Sequence, residues 1–203
     1  MNAFSRTLSL SLSSFALAAV AAAQTPLQVR GEINQGTGGG AGCYWCTGAP
    51  FVLKFTGTTV QSTTVNLAAF LGQKVVIDGV WTGTALQVNG VQATTETFSM
   101  GGNPSIGGMM RFTTKAAPGT LALNLAALGT SFLVPVGSVA VLLDPVSLVP
   151  LAAGVTNAGG DFRTEINIPN LTSLIGLRVF GQGVIAPAAG PLFASNIDAV
   201  EVQ

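Results

Sequence analysis

Residues 159–185 leave this chain little choice of fold. Phe162, Thr164, Ile166 and Ile168 fall on one side of an extended run, and Asp161, Arg163, Glu165 and Asn167 fall on the other. A period of two describes a strand with one face in a core and one in water. Pro169 stops the run, because proline has no N–H to give to a ladder. After a short polar link, residues 177–185 read as a second strand. A strand with one dry face needs a partner sheet to cover it, so the pair predicts a β-sandwich.

The N-terminus predicts export. Arg6 precedes an apolar run over residues 8–20, which ends in Ala21-Ala22-Ala23 before Gln24-Thr25-Pro26. That is the pattern of a signal peptide spanning residues 1–23 and cut after Ala23. No cysteine stands at the cut, so no lipid anchor is expected, and no later stretch is apolar enough to span a bilayer. The expected location is secreted or in the cell envelope. Charged residues make up 8% of the chain, 8 basic against 8 acidic. Loss of Arg6 with the leader leaves seven against eight, a net charge of −1. Without a basic patch a nucleic-acid partner is not expected.

The chain has no histidine. That excludes Ser-His-Asp and Cys-His triads, His-ligated zinc and imidazole acid–base chemistry. With no catalytic constellation recognisable elsewhere, the expectation is a non-enzymatic protein with no cofactor and no metal.

Punctuation by glycine continues through the first half. Residues 27–33 alternate as a first strand, followed by a glycine-rich loop with Gly38-Gly39-Gly40. No Gly-Lys-Ser/Thr follows, so this is not a phosphate loop. Next comes Cys43-Tyr44-Trp45-Cys46, the only two cysteines enclosing an aromatic pair. In an exported chain the pair predicts a local disulfide pinning a loop. A thiol–disulfide redox site is the alternative, but it needs a helix at the first cysteine. Here Thr47-Gly48-Ala49-Pro50 follows, which is turn chemistry. Further on, Gly72 marks a turn, and Val75, Ile77 and Trp81 line a long strand that Gly79 interrupts with a bulge or bend. Gly83-Thr84 makes a hairpin turn, and Asn89-Gly90 reads as either another turn or a bulge. Tyr44 and Trp45 are the candidate ligand-stacking residues, with Arg30 and Lys54 as possible neighbours. A carbohydrate-binding module is the reading that uses them.

The leucine, Leu71-Gly72 turn, Val75-x-Ile77-x-Gly79 strand and returning Leu86-x-Val88 strand resemble small OB-like β-barrel domains of exported bacterial proteins, over residues 27–98. Residues 100–108, with Gly101-Gly102-Asn103-Pro104, break both periodicities and read as a linker between an OB-like domain at 27–99 and a β-sandwich domain at 109–203. Across 104–203 the ordered set Pro104-Ser105-Ile106-Gly107, Ala117-Pro118-Gly119, Leu142-Leu143-Asp144-Pro145, Gly159-Gly160-Asp161-Phe162, Ile166-x-Ile168-Pro169, Leu174-Ile175-Gly176-Leu177, Gln182-Gly183 and Ala194-Ser195-Asn196 resembles an uncharacterised C-terminal β-sandwich module of exported proteins from environmental bacteria. That resemblance implies no enzymatic role and carries over no site residues. The whole is expected to be all-β, an OB-like barrel followed by an antiparallel sandwich. It would act as a structural or interaction module toward a cell-surface protein or polysaccharide.

One ligand pattern in the second half falls short. Asn157 with Gly159-Gly160-Asp161 offers one carboxylate, too few for calcium, and Asp161 is expected to accept backbone N–H groups in a turn. Asn170-Leu171-Thr172 matches a glycosylation sequon.

Overall fold

The computed structural model describes residues 26–37, 46–136 and 139–203, with the backbone alone at 132–136. The expected signal peptide at 1–23 lies outside them. The described residues carry fourteen strands, two 3₁₀ turns and no α-helix. The all-β expectation holds.

Five strands close the barrel: β1 (Pro26–Asn34), β2 (Val52–Leu53), β3 (Thr59–Gln61), β4 (Lys74–Trp81) and β5 (Ala85–Ala93), in the order β1-β2-β3-β5-β4. β3 and β5 run parallel, and the other pairs are antiparallel. A 3₁₀ turn at Leu67–Phe70 spans the gap from β3 to β4. Alternate residues fill the interior: Val29, Ile33, Val60, Val75, Ile77, Leu86 and Val88 are all buried. Gly31 also faces inward, because a Cβ there would stand 2.8 Å from Leu53 Cδ2. The expected break at Gly79 is a bulge, where the β4–β5 register shifts between Asp78 and Gly79. Asn89 is the unpaired residue opposite, so Asn89-Gly90 belongs to the bulge and not to a turn. Gly79 has no room for a side chain, with Gln87 O 2.5 Å from where its Cβ would be.

The second half stacks two sheets. One holds β11 (Val149–Val155), β8 (Leu121–Ala127), β13 (Arg178–Ala186) and β14 (Phe193–Glu201); the other holds β12 (Asp161–Asn167), β7 (Met109–Lys115) and β6 (Thr97–Asn103). Phe98, Met110, Phe112, Ala126, Ile168 and Val202 form the core between them. β12 and β13, the pair that predicted the sandwich, lie in opposite sheets. The alternation along β12 is only partly realised. Phe162 and Thr164 are half-buried, but Ile166 is 38% exposed. As an edge strand, β12 has a neighbour on one side only, and the core covers its inner face incompletely.

Residues 100–108 are not a linker in secondary structure. β6 continues to Asn103 and pairs with β7 through Gly101↔Arg111 and Gly102↔Met110, and residues 104–108 form the hairpin turn. Glycines have poor strand propensity, but the ladder to β7 supplies what the side chains lack.

The four-stranded sheet is a middle layer. Its inner face meets the other sheet; its outer face sets Leu125, Ala127, Phe180, Ala194 and Ile197 against the barrel and against β10 (Val139–Leu143), which pairs with β9 (Thr130–Val136). Barrel and sandwich thus share one apolar cluster. Phe55 and Phe180 cross it edge to face at 6.3 Å and 77°, and Thr130 Oγ1 donates to Phe55 O at 3.1 Å.

Candidate functional site: a groove on the barrel

The barrel wall built by β2 and β3 carries a groove of about 330 Å³, lined by Pro50, Phe51, Thr59, Gln61, Ser62 and Asn66 among others. Local folding explains its shape. Gly48 N donates to Gly36 O at 2.8 Å, closing the neck of the long β1–β2 loop. The chain then runs past Pro50 and Phe51 into β2, where Val60 N donates to Phe51 O at 3.0 Å. On the other rim, Ser62 Oγ donates to Val88 O at 2.8 Å and accepts from Val65 N at 2.9 Å, fixing the turn that leads to Asn66.

The groove has no charged residue in its lining. Gln61 and Asn66 are exposed and Thr59 and Phe51 are half-buried. Among the described residues, the Gln61 amide, the Asn66 amide and the Thr59 hydroxyl have no hydrogen-bond partner; Asn66 does not cap the 3₁₀ turn that it precedes. Two free amides and a hydroxyl can each donate and accept. The Phe51 ring beside them offers an apolar face.

Of the residues singled out in the sequence, Cys43, Tyr44 and Trp45 lie outside the described residues. Cys46 is described. It stands in the loop that closes at Gly36 and Gly48, and bends and β2 follow it rather than a helix. Arg30 and Lys54 do not line the groove. Arg30 pairs with Glu96 at 2.6 Å, and Lys54 pairs with Glu32 at 3.1 Å. Asp161 does not accept backbone N–H groups as expected. Asn157 Oδ1 does so, from Gly159 N at 2.8 Å and Asp161 N at 3.1 Å, while the Asp161 carboxylate pairs with Arg163 at 2.8 Å. Among the described residues no cluster of carboxylates or cysteines could hold a metal ion.

The groove residues escaped the sequence reading because Thr59, Gln61 and Asn66 belong to no motif. A second depression, about 380 Å³, lies on the polar face of β6-β7-β12. Its Arg111 and Arg163 are already paired with Glu165 and Asp161. Each of the other carboxylates is engaged too: Glu201 with Arg178, Asp78 with Gln28, Asp144 with Val146 N and Ser147, and Asp198 with Met100 N.

The motif residues of the second half form a buried lock. Gln182 Nε2 donates to Ser195 O and its Oε1 accepts from Leu142 N; Gly183 N donates to Ser195 Oγ; Phe98 N donates to Asn196 Oδ1. Gln182 and Ser195 have no exposed surface. They hold strands together and are closed to a ligand.

Compared with protein-family models, with curated proteins and with solved structures, the chain matches none.

Proposed function

We propose that the protein is an exported, non-enzymatic interaction module whose barrel groove engages a neutral polysaccharide. The observation that carries this reading is the lining of the groove: unpartnered amides at Gln61 and Asn66 beside Thr59 and Phe51, with no charge. A side-chain amide can accept from one sugar hydroxyl and donate to its neighbour. An aromatic ring packs on the apolar C–H face of a pyranose. The volume suits one or two sugar rings, and the β2–β3 wall with its β1–β2 loop is where OB-type barrels take oligosaccharides. Tyr44 and Trp45 enter the proposal as aromatic contacts carried on that loop. Its geometry is held, in this reading, by a Cys43–Cys46 disulfide, in keeping with Cys46 not being a free thiol.

The test is tryptophan fluorescence titrated with a panel of soluble neutral polysaccharides. A saturable change is expected, weakened about thirtyfold in Gln61→Ala/Asn66→Ala, since the two lost hydrogen bonds contribute about 1 kcal/mol each. Both positions are exposed, so Tm should not move. A flat response across the panel, or equal binding by the double variant, refutes the groove. It would direct the search to protein partners.

A further inference from the structure

At the seam between barrel and sandwich, Arg30 of β1 is held on three sides. Its side chain is 10% exposed. Nη1 donates to Glu96 Oε2 at 2.6 Å and to Thr94 Oγ1 at 3.3 Å, and the Phe193 ring covers the guanidinium with Cζ 3.5 Å from its centroid. The buried Nε–H has no hydrogen-bond partner among the described residues. Native structures leave few buried donors unmet, and each such group calls for an explanation. Here there is a cavity of about 100 Å³ with Arg30 and Gln28 in its wall and Ala140, Leu192 and Phe193 as its apolar sides.

Charge decides what could fill it. Glu96 already neutralises Arg30, and Asp78 Oδ1 accepts from Gln28 Nε2 at 3.0 Å. An anion would meet both carboxylates, so a neutral acceptor is favoured. Gln28 gives one Nε2 hydrogen to Asp78 and keeps its second N–H and its Oε1. The wall residues therefore hold two N–H donors, at Arg30 Nε and Gln28 Nε2, one acceptor at Gln28 Oε1, and an apolar surface. A cavity of about 150 Å³ takes the six heavy atoms of benzene, so one of this size suits about four. The complement is a methyl-bearing secondary amide, an acetamido group.

We infer that this junction cavity takes the acetamido group of an N-acetylated amino sugar. The carbonyl accepts from Arg30 Nε–H, the amide N–H donates to Gln28 Oε1, and the methyl packs on Leu192 and Ala140. Nε has no appreciable contact with water, so the proposal requires a wall side chain to move for the occupant to reach it, and Leu192, 49% exposed at the rim, is the one that borders solvent. The choice of a sugar over an acetylated peptide rests on the polysaccharide reading above, whereas the acetamido chemistry stands independently of it.

Amide NMR of the ¹⁵N-labelled protein, titrated separately with N-acetylglucosamine, glucose and N-acetylalanine N′-methylamide, tests this. Expected are saturable shifts around Arg30 and Phe193 with N-acetylglucosamine, none there with glucose, and weaker ones with the methylamide. Arg30→Lys keeps a charge for Glu96 but loses the Nε donor, and should weaken binding at least tenfold. Leu192→Trp, at an exposed rim position, should block it if Arg30→Lys does not fold. No shifts with either acetamide, equal shifts with glucose, or indifference to both variants overturns the cavity. Tighter binding of the methylamide overturns the sugar assignment. Gln61→Ala/Asn66→Ala should leave these shifts intact, so failure of the groove and failure of the cavity are read separately.

Discussion

Replacing Gly183 by alanine should disable the sandwich core without touching any surface. A Cβ at Gly183 in β13 would overlap Thr114 Oγ1 and stand 3.0 and 3.2 Å from its Cγ2 and Cβ. Thr114 has no exposed surface and donates to Asn124 Oδ1 at 2.6 Å. Asn124, equally buried, donates through Nδ2 to Phe112 O at 3.2 Å and Thr164 Oγ1 at 2.9 Å. The new methyl must therefore either push the sheets apart or turn Thr114 away. Overpacking of this kind costs about 1–3 kcal/mol. Stranding Asn124 Oδ1 costs a further 1–3 kcal/mol or so, and the lower chain entropy of alanine returns about 0.5–1 kcal/mol. The net expectation is a loss of about 1–5 kcal/mol, a large share of the ~5–15 kcal/mol that holds a domain. Urea unfolding followed by far-UV circular dichroism reads it as a lower midpoint at unchanged slope. Gly101→Ala is the control, because nothing lies within 4 Å of a Cβ there; it should stay within about 0.5 kcal/mol of the parent. In a Thr114→Ala background only the Cβ contact at 3.2 Å remains, so Gly183→Ala should then cost about 1 kcal/mol or less. A single variant that unfolds with the parent, or a full cost that persists without Thr114, would refute the reasoning.

Phe55 is the one non-glycine described residue with positive φ, at 69°; the residue is 9% exposed and its ring packs against Phe180. Phe55→Ala should lose about 3–5 kcal/mol of packing while keeping the strained backbone. Phe55→Gly loses the same packing but relieves the strain, so it should match or exceed the alanine variant in stability, the reverse of the usual order. A glycine variant less stable by 1 kcal/mol or more contradicts this. Because barrel and sandwich share an apolar cluster, the emission of Trp81 in β4 and the far-UV signal of all strands should trace one urea transition; two separated midpoints would show that the shared layer does not couple them.

The parts of this fold that were legible in the sequence are those written in local pattern. Val75, Ile77 and Gly79 announced a barrel strand with a bulge or a bend, since alternation and an out-of-place glycine are properties of neighbouring residues. Gly72 and Gly83 announced turns, and both have positive φ, at 71° and 95°. What failed needed a partner to be visible. Residues 100–103 look like a linker because Gly101 and Gly102 have nothing of their own to pack; only pairing with Arg111 and Met110 makes them a strand. Arg30 read as a candidate near the barrel mouth, but Glu96 and Phe193, 66 and 163 positions away in the numbering, draw it into the seam. Gln61 and Asn66 carry no signal at all, since an exposed amide in a turn-rich stretch is commonplace. They become a candidate site only when β3 and the turn after it set both beside Phe51 in a groove without charge. Recognition of a neutral ligand leaves the faintest trace in a sequence for this reason. It depends on amides and hydroxyls left without intramolecular partners, and which of them are left over is settled only after the backbone has closed.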